Sequence, residues 1–184
     1  MVKPAPESST FLQRLGGAMA LRVAVYEEVE ADRRATSQAV AIVVLSSLAA
    51  GLGSRGFGAS SALDVAFFSV VALIAWVAWA FVVFEIGSRM LPAPHTRVDI
   101  GELLRTTGFA AAPGLWRIVG VVPGMSIPAF VVTAVWMLGA MIIAVRQALD
   151  YTSTGRAVAV CAIGWVLAIT FALLFGLFFG PSVS

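Results

Sequence analysis

The sequence predicts an all-α fold: a polytopic integral membrane protein with five transmembrane helices and an N-terminal amphipathic interfacial helix. Three observations predict it. Apolar residues make up 60% of the 184-residue chain and charged residues only 12%, where a soluble domain has roughly 45–50% and about 25%. The charges leave uncharged runs of about 20 residues, the length that crosses a hydrocarbon core of about 30 Å as a helix. Finally, Lys and Arg are unequally shared between successive loops, as they are on the two sides of a membrane. A disordered chain would be charged and poor in large apolar residues, which excludes that class.

The first domain is the N-terminal segment, residues 1–34, expected in the cytoplasm. The first 38 residues hold ten charges and no apolar core run, so no cleaved signal peptide is expected. Leu12, Leu15, Met19, Val23 and Tyr26 recur every three or four residues and form one face of a helix. Gln13, Arg14, Glu27 and Glu28 fall largely elsewhere. Two placements fit this helix: along the cytoplasmic interface, or packed under the bundle. The acidic run Glu27-Glu28-Val29-Glu30-Ala31-Asp32 argues against attraction to anionic lipid.

The second domain, residues 35–184, holds the spans at about 36–53, 65–86, 104–122, 128–145 and 157–179. Between Arg34 and Arg55, and again between Asp64 and Glu85, lie 20 uncharged residues. Pro92 and Pro94 mark a loop, after which Asp99 caps a short amphipathic helix with Glu102 in the capping-box position. Residues 106–122 are ambiguous, because they contain Pro113 and carry Arg117. They form either a kinked span or a re-entrant segment. With five spans the Lys and Arg count from the N-terminal segment onward is 5, 1, 3, 0, 2 and 0, with Arg117 inside a span. That alternation favours the kinked span, with the N-terminus cytoplasmic and the C-terminus outside.

Several chemistries are excluded by composition. The net charge of +2 gives no basic face for nucleic acid. One His (His95) and one Cys (Cys161) cannot build a thiolate or imidazole metal site within a monomer. There is no Walker motif, no H-E-x-x-H and no paired-carboxylate spacing, so no catalytic residues and no cofactor are expected. Gly51-Leu52-Gly53-Ser54-Arg55-Gly56 matches G-x-G-x-x-G, but a membrane helix ends there and helix termination is the ordinary explanation. Gly176 and Gly180 form a G-x-x-x-G that could serve helix packing or self-association. Trp76, Trp79, Trp136 and Trp165 lie near mid-span and are expected to fill space between helices.

The candidate intramembrane polar residues are Asp64, Glu85 and Arg117. An arginine inside a span costs roughly 2.5–3.5 kcal/mol on insertion scales, so it should pair, snorkel or face water. Arg117 is expected near Asp64 toward the outer side, and Glu85 near Arg105 or Arg146 at the cytoplasmic end. They either fix helix register as ion pairs or line a polar path.

The stretch Gly101-Glu102-Leu103-Leu104-Arg105-Thr106-Thr107-Gly108-Phe109-Ala110-Ala111-Ala112-Pro113 resembles the opening of the third span in the Yip (Ypt/Rab-interacting protein) membrane family, in particular its bacterial-type members. Its matching residues are Gly108, Phe109 and Pro113. The run from Trp136-Met137-Leu138 to Asp150, then Thr154 to Val160, resembles the fourth and fifth spans of that family, and Tyr26 to Asp32 is similar to bacterial relatives. The resemblance implies five spans in the bacterial cytoplasmic (inner) membrane. The Asp-Leu-Tyr-Gly-Pro motif of the eukaryotic, GTPase-binding members is missing from the sequence, so no GTPase-binding residues carry over. The expected function is a noncatalytic scaffold or accessory subunit whose partners are the lipid bilayer and other membrane proteins, with homo-oligomerisation open. The competing expectation is a small transporter or channel lined by Arg117, Asp64 and Glu85.

Overall fold

A computed structural model describes residues 9–53, 61–92 and 99–179. The described residues form helices and no strand: α1 (Phe11–Met19), α2 (Val23–Ala31), α3 (Ala35–Gly53), α4 (Ala62–Glu85), α5 (Ile100–Phe109), α6 (Ser126–Ala148) and α7 (Thr154–Phe179). A π turn, Ile86–Met90, closes α4, and a 3-10 helix, Ala112–Val121, follows α5. Three stretches are long and apolar enough to cross a membrane: Ala35–Gly53, Leu73–Met90 and Ser126–Ala148. Within the described residues Thr154–Leu167 is an apolar helix of shorter reach.

Close approaches fix the direction of each helix. Going up α3, Ala39 meets Gly108, Ser46 meets Gly114 and Gly53 meets Gly120. The α5 and 3-10 segment therefore runs alongside α3 in the same direction over its whole length. A segment that turned back on itself would reverse that order; these residues instead form a broken helix. The break falls at Ala110–Ala111, just before Pro113, whose ring cannot continue an α-helical ladder. Ten residues is long for a 3-10 helix. Gly114 and Gly120 account for its seam with α3: a Cβ on either would clash with Ser46 or Gly53. Helix α6 then returns, with Ser126 Oγ donating to Gly120 O at 2.8 Å. Its far end meets α4, where Leu149 packs on Gly87. Trp79 packs on Gly164 of α7, which runs upward again. The end where α3 begins is called proximal below, and the end at Gly53 and Gly120 distal.

The interior is built from small residues. Ala35, Ala39, Ala110, Ala112, Ala140 and Ala144 are fully buried around Tyr26, Ile42 and Phe109. A second cluster joins Ala80, Val83, Ile86, Leu103, Leu149 and Val160. Large apolar residues instead point outward: Ile74 and Phe81 on α4, Val131, Val132 and Val135 on α6, and Val166 on α7 are all more than half exposed. Small inside and large outside is the pattern of helices solvated by lipid, where close backbone approach drives packing. A water-facing surface would be costly, since each exposed side chain of this size forgoes about 1.5–3 kcal/mol of burial. Apolar helices with this packing mark a membrane protein.

The N-terminal segment departs from expectation. The periodicity from Leu12 to Tyr26 is not one helix but two, joined at Ala20–Arg22. The Leu21 amide donates to Ala18 O and the Arg22 amide to Gly17 O, the bond pair of a Schellman turn. Leu21 takes the left-handed conformation there, with φ 57°. Gly17 lets α1 fold back on α2, because a Cβ would clash with Val25 Cγ2. The hairpin lies against the bundle, the second of the two expected placements. Its tip is pinned by Trp136 Nε1, which donates to Met19 O at 2.7 Å. Leu12, expected on the apolar face, is 73% exposed, whereas Arg14, expected on the polar face, is 3% exposed.

Candidate functional site

Polar atoms gather in two places. At the proximal end, buried Arg14 ties α1 to α2 and donates to Gln38 of α3 at 3.2 Å, and buried Arg105 ties α2 to α5. Arg14 pairs with Glu28 at 2.9 Å and Asp32 at 2.8 Å. Burial alone would raise the Glu28 carboxyl, but hydrogen bonds from Ser9 and Arg14 outweigh it and hold it below the usual range. The Asp32 carboxyl is lowered by its bond from Arg14. Arg105 donates through Nε to Val29 O at 2.9 Å and Glu30 O at 3.0 Å, so it satisfies the carbonyls that α2 leaves open at its end. Desolvation, with Glu102 and Asp150 nearby, pushes the Glu30 carboxyl up to about 7. Tyr151 Oη donates to Leu91 O at 2.8 Å and closes the same end.

The second place is a cleft in the distal half, between α3, α4, the 3-10 helix and α6. Its volume is about 480 Å³, within the roughly 300–1,000 Å³ range of small-molecule sites. It extends along α3 from Val43 to Gly51, about 12 Å at helical rise. Its walls include Ala75, Trp76, Trp79, Phe130, Met137 and Met141, and its polar groups are Ser46, Ser47, Thr107 and Arg117.

Arg117 is held from below and above. Its Nε donates to Thr133 Oγ1 at 3.2 Å, and its guanidinium carbon sits 5.1 Å from the Phe130 ring centre. The Thr133 hydroxyl donates onward to Ala129 O at 2.7 Å, which leaves its lone pairs for Arg117. Among the described residues no carboxylate pairs with Arg117. Trp76 Nε1 donates to Thr107 Oγ1 at 3.1 Å. Trp79 Nε1 is buried and has no hydrogen-bond partner among the described residues; its ring stacks edge-on with Trp165 at 6.1 Å. The cleft thus presents a guanidinium and a few hydroxyls in otherwise apolar walls.

The expected polar trio is not assembled into one path. Arg117 lines the cleft. Glu85 sits at the other end of α4 and pairs with Arg89 at 3.0 Å, not with Arg105 or Arg146; Arg146 instead donates to Tyr151 O at 3.2 Å. One helical turn separates Glu85 from Arg89, and this local pairing at the end of α4 leaves Arg105 to α2. Asp64 belongs to α4, but its side chain lies outside the described residues, so the expected Arg117–Asp64 pair does too. Gly108 and Phe109 are packing residues: a Cβ on Gly108 would meet that of Ala39 at 2.7 Å, and Phe109 is fully buried. Pro113 opens the 3-10 helix. Gly180, and hence the Gly176–Gly180 pair, lies outside the described residues. Gly53, read as a helix terminator, is the last residue of α3 and also serves packing, since a Cβ there would clash with Arg117 O.

Sequence reasoning missed Arg14 and Arg105 as buried anchors, and Ser46, Thr107 and Trp79 as cleft residues. Arg14 had one available signal: it is three residues after Phe11 and four before Ala18, both packed. Ser46 had none, since single hydroxyls are ordinary in such helices. Among the described residues no three His, Cys, Asp or Glu side chains gather to hold a metal. Comparison of the chain with protein-family models, curated proteins and solved structures finds no match.

Proposed function

We propose that the chain is a noncatalytic membrane protein that acts as a scaffold or accessory subunit, contacting other membrane proteins or shaping lipid. In this reading it crosses the bilayer five times, through α3, α4, the α5 and 3-10 segment, α6 and α7, with the proximal end cytoplasmic. The family resemblance of the third span points the same way. The observation that carries the reading is the docked hairpin. Arg14 (through Gln38), Arg105 and Trp136 bind α1 and α2 to the bundle, which gives the proximal half a fixed outer surface. On that surface Leu12 and Gln13 are exposed. A fixed surface of this kind suits a partner. A moving gate would be expected to have fewer buried ties.

Topology is tested by impermeant maleimide labelling of Thr152→Cys at the proximal end and Met125→Cys at the distal end. With five crossings, the two label from opposite faces of sealed vesicles. The scaffold role is tested by site-specific crosslinking at Leu12 in native membranes. A discrete crosslinked membrane protein, lost when Arg14→Met releases the hairpin, supports it. Solute flux through reconstituted vesicles that depends on Arg117 would replace it with transport.

A further inference from the structure

The distal cleft is not used by the scaffold reading, and its chemistry is specific. One end holds a cation whose partners are a hydroxyl and an aromatic face. The body is formed by Val43, Ala75, Trp79, Met137 and Met141. Among the described residues no carboxylate pairs with this guanidinium, and a guanidinium in apolar surroundings is costly unless an anion reaches it. A small hydrated anion would satisfy Arg117 and leave the apolar remainder of the cleft unfilled. An uncharged chain would fill the walls and leave Arg117 unpaired. Only a molecule with both parts complements the whole cleft.

We propose that this cleft binds a single-chain anionic amphiphile, its acid head on Arg117 and its alkyl chain along Val43 toward Met141. The acid head accepts from the guanidinium, whose two terminal nitrogens are free of the Thr133 bond and suited to a carboxylate or phosphate fork. The volume of about 480 Å³ is of the size of one alkyl chain rather than two. The proposal stands independently of the scaffold role.

The test uses the purified full chain in phosphatidylcholine nanodiscs and reads tryptophan quenching, because Trp76 and Trp79 line the cleft. The probe is 9,10-dibromostearate, with its methyl ester as the uncharged control. Saturable quenching by the acid and only linear quenching by the ester is the expected result. Arg117→Gln should weaken the acid at least tenfold, and Arg117→Lys should restore most of the loss. Ala75→Phe, at a position exposed to the cleft, should abolish saturation while the circular dichroism melt is unchanged. That second variant keeps the test valid if Arg117→Gln fails to fold. Equal quenching by acid and ester, or saturation that survives Ala75→Phe, overturns the proposal. Saturation seen only with brominated phosphatidylglycerol overturns the single-chain assignment, and displacement of the acid by millimolar chloride alone assigns the site to an inorganic anion instead.

Discussion

Arg14 at the proximal end and Arg117 in the distal half are both cations in a chain with few charges, and their surroundings differ in kind. Arg14 is 3% exposed and donates to Glu28, Asp32 and Gln38. Arg105, 6% exposed, is likewise held by oxygens, the backbone carbonyls of Val29 and Glu30. Arg117 has one hydroxyl and one ring. The proximal half therefore uses buried charge to fix structure, each guanidinium held by several oxygens, while in the distal half Arg117, with no carboxylate on it among the described residues, faces a cleft. A matched buried cation is an anchor, and an unmatched one beside free volume is a candidate site.

The sharpest way to break this contrast is at the helix seams. Gly53 in the distal seam faces a backbone carbonyl, whereas Gly108 nearer the proximal end faces the Ala39 methyl and the Trp76 ring. The Ala39 methyl also moves only with its backbone, but the overlap at Gly108 is shallower and the Trp76 ring can shift, whereas the overlap at Gly53 is deep and with backbone alone. Gly53→Ala should cost about 3 kcal/mol, the upper range for overpacking, and Gly108→Ala about 1–2 kcal/mol. Chemical denaturation in detergent, followed by tryptophan fluorescence, ranks the two; the reverse order would mean that the distal seam is the looser one.

Arg14→Met comes next. It leaves Glu28 and Asp32 without their cation, but both carboxylates are about 30% exposed and can recover water. The loss should therefore fall to about 2 kcal/mol, below the 3–5 kcal/mol of a fully buried broken pair. Trypsin cleavage at Arg22 and Arg33 should accelerate, because the hairpin detaches first. Maleimide labelling at Met125→Cys in the distal turn should stay unchanged. Accelerated labelling there would show that the two halves unfold as one unit.

Trp136→Phe isolates a single bond from the hairpin tip to α6. Losing one indole-to-carbonyl hydrogen bond should cost about 1 kcal/mol. Hydrogen exchange at the Met19–Arg22 turn should rise about fivefold, with α4 and α7 amides unaffected.

What the sequence showed and what it hid follow the same division. Long apolar runs between charges located α3, α4 and α6 because lipid imposes length and composition on a helix directly. Asp99 was legible as a cap, and its side chain accepts from the Gly101 and Glu102 amides. The break between α1 and α2 was not, because Ala20-Leu21-Arg22 contains no Gly or Pro and the left-handed turn is held by tertiary contacts. Arg14 was misplaced for a related reason: its burial depends on carboxylates 14 and 18 residues away, which periodicity along one helix cannot see. The importance of Arg117 was legible from its rarity alone. Its cleft was not, since free volume depends on how four segments meet.

Glu30 gives the smallest effect and the one most particular to the proximal end. Its carboxyl is raised from an ordinary 4.5 to about 7 by desolvation first, then by Glu102 and Asp150, with Arg105 opposing. The folded state therefore holds the proton more tightly than the unfolded chain does. Between those two values the native state binds more protons, so stability falls as pH rises from about 4.5 to about 7 and is flat above. Glu30→Gln carries no such proton and should lack that slope. The variant should match the wild type near pH 5 and exceed it by a few degrees in melting temperature at pH 8. Labelling at Met125→Cys should be pH-independent in both, apart from the reagent's own chemistry, because no raised carboxyl has been placed beside the distal turn. A melting temperature that falls equally with pH in wild type and Glu30→Gln would move the responsible proton to Glu102, whose carboxyl is also raised by burial and by Asp99.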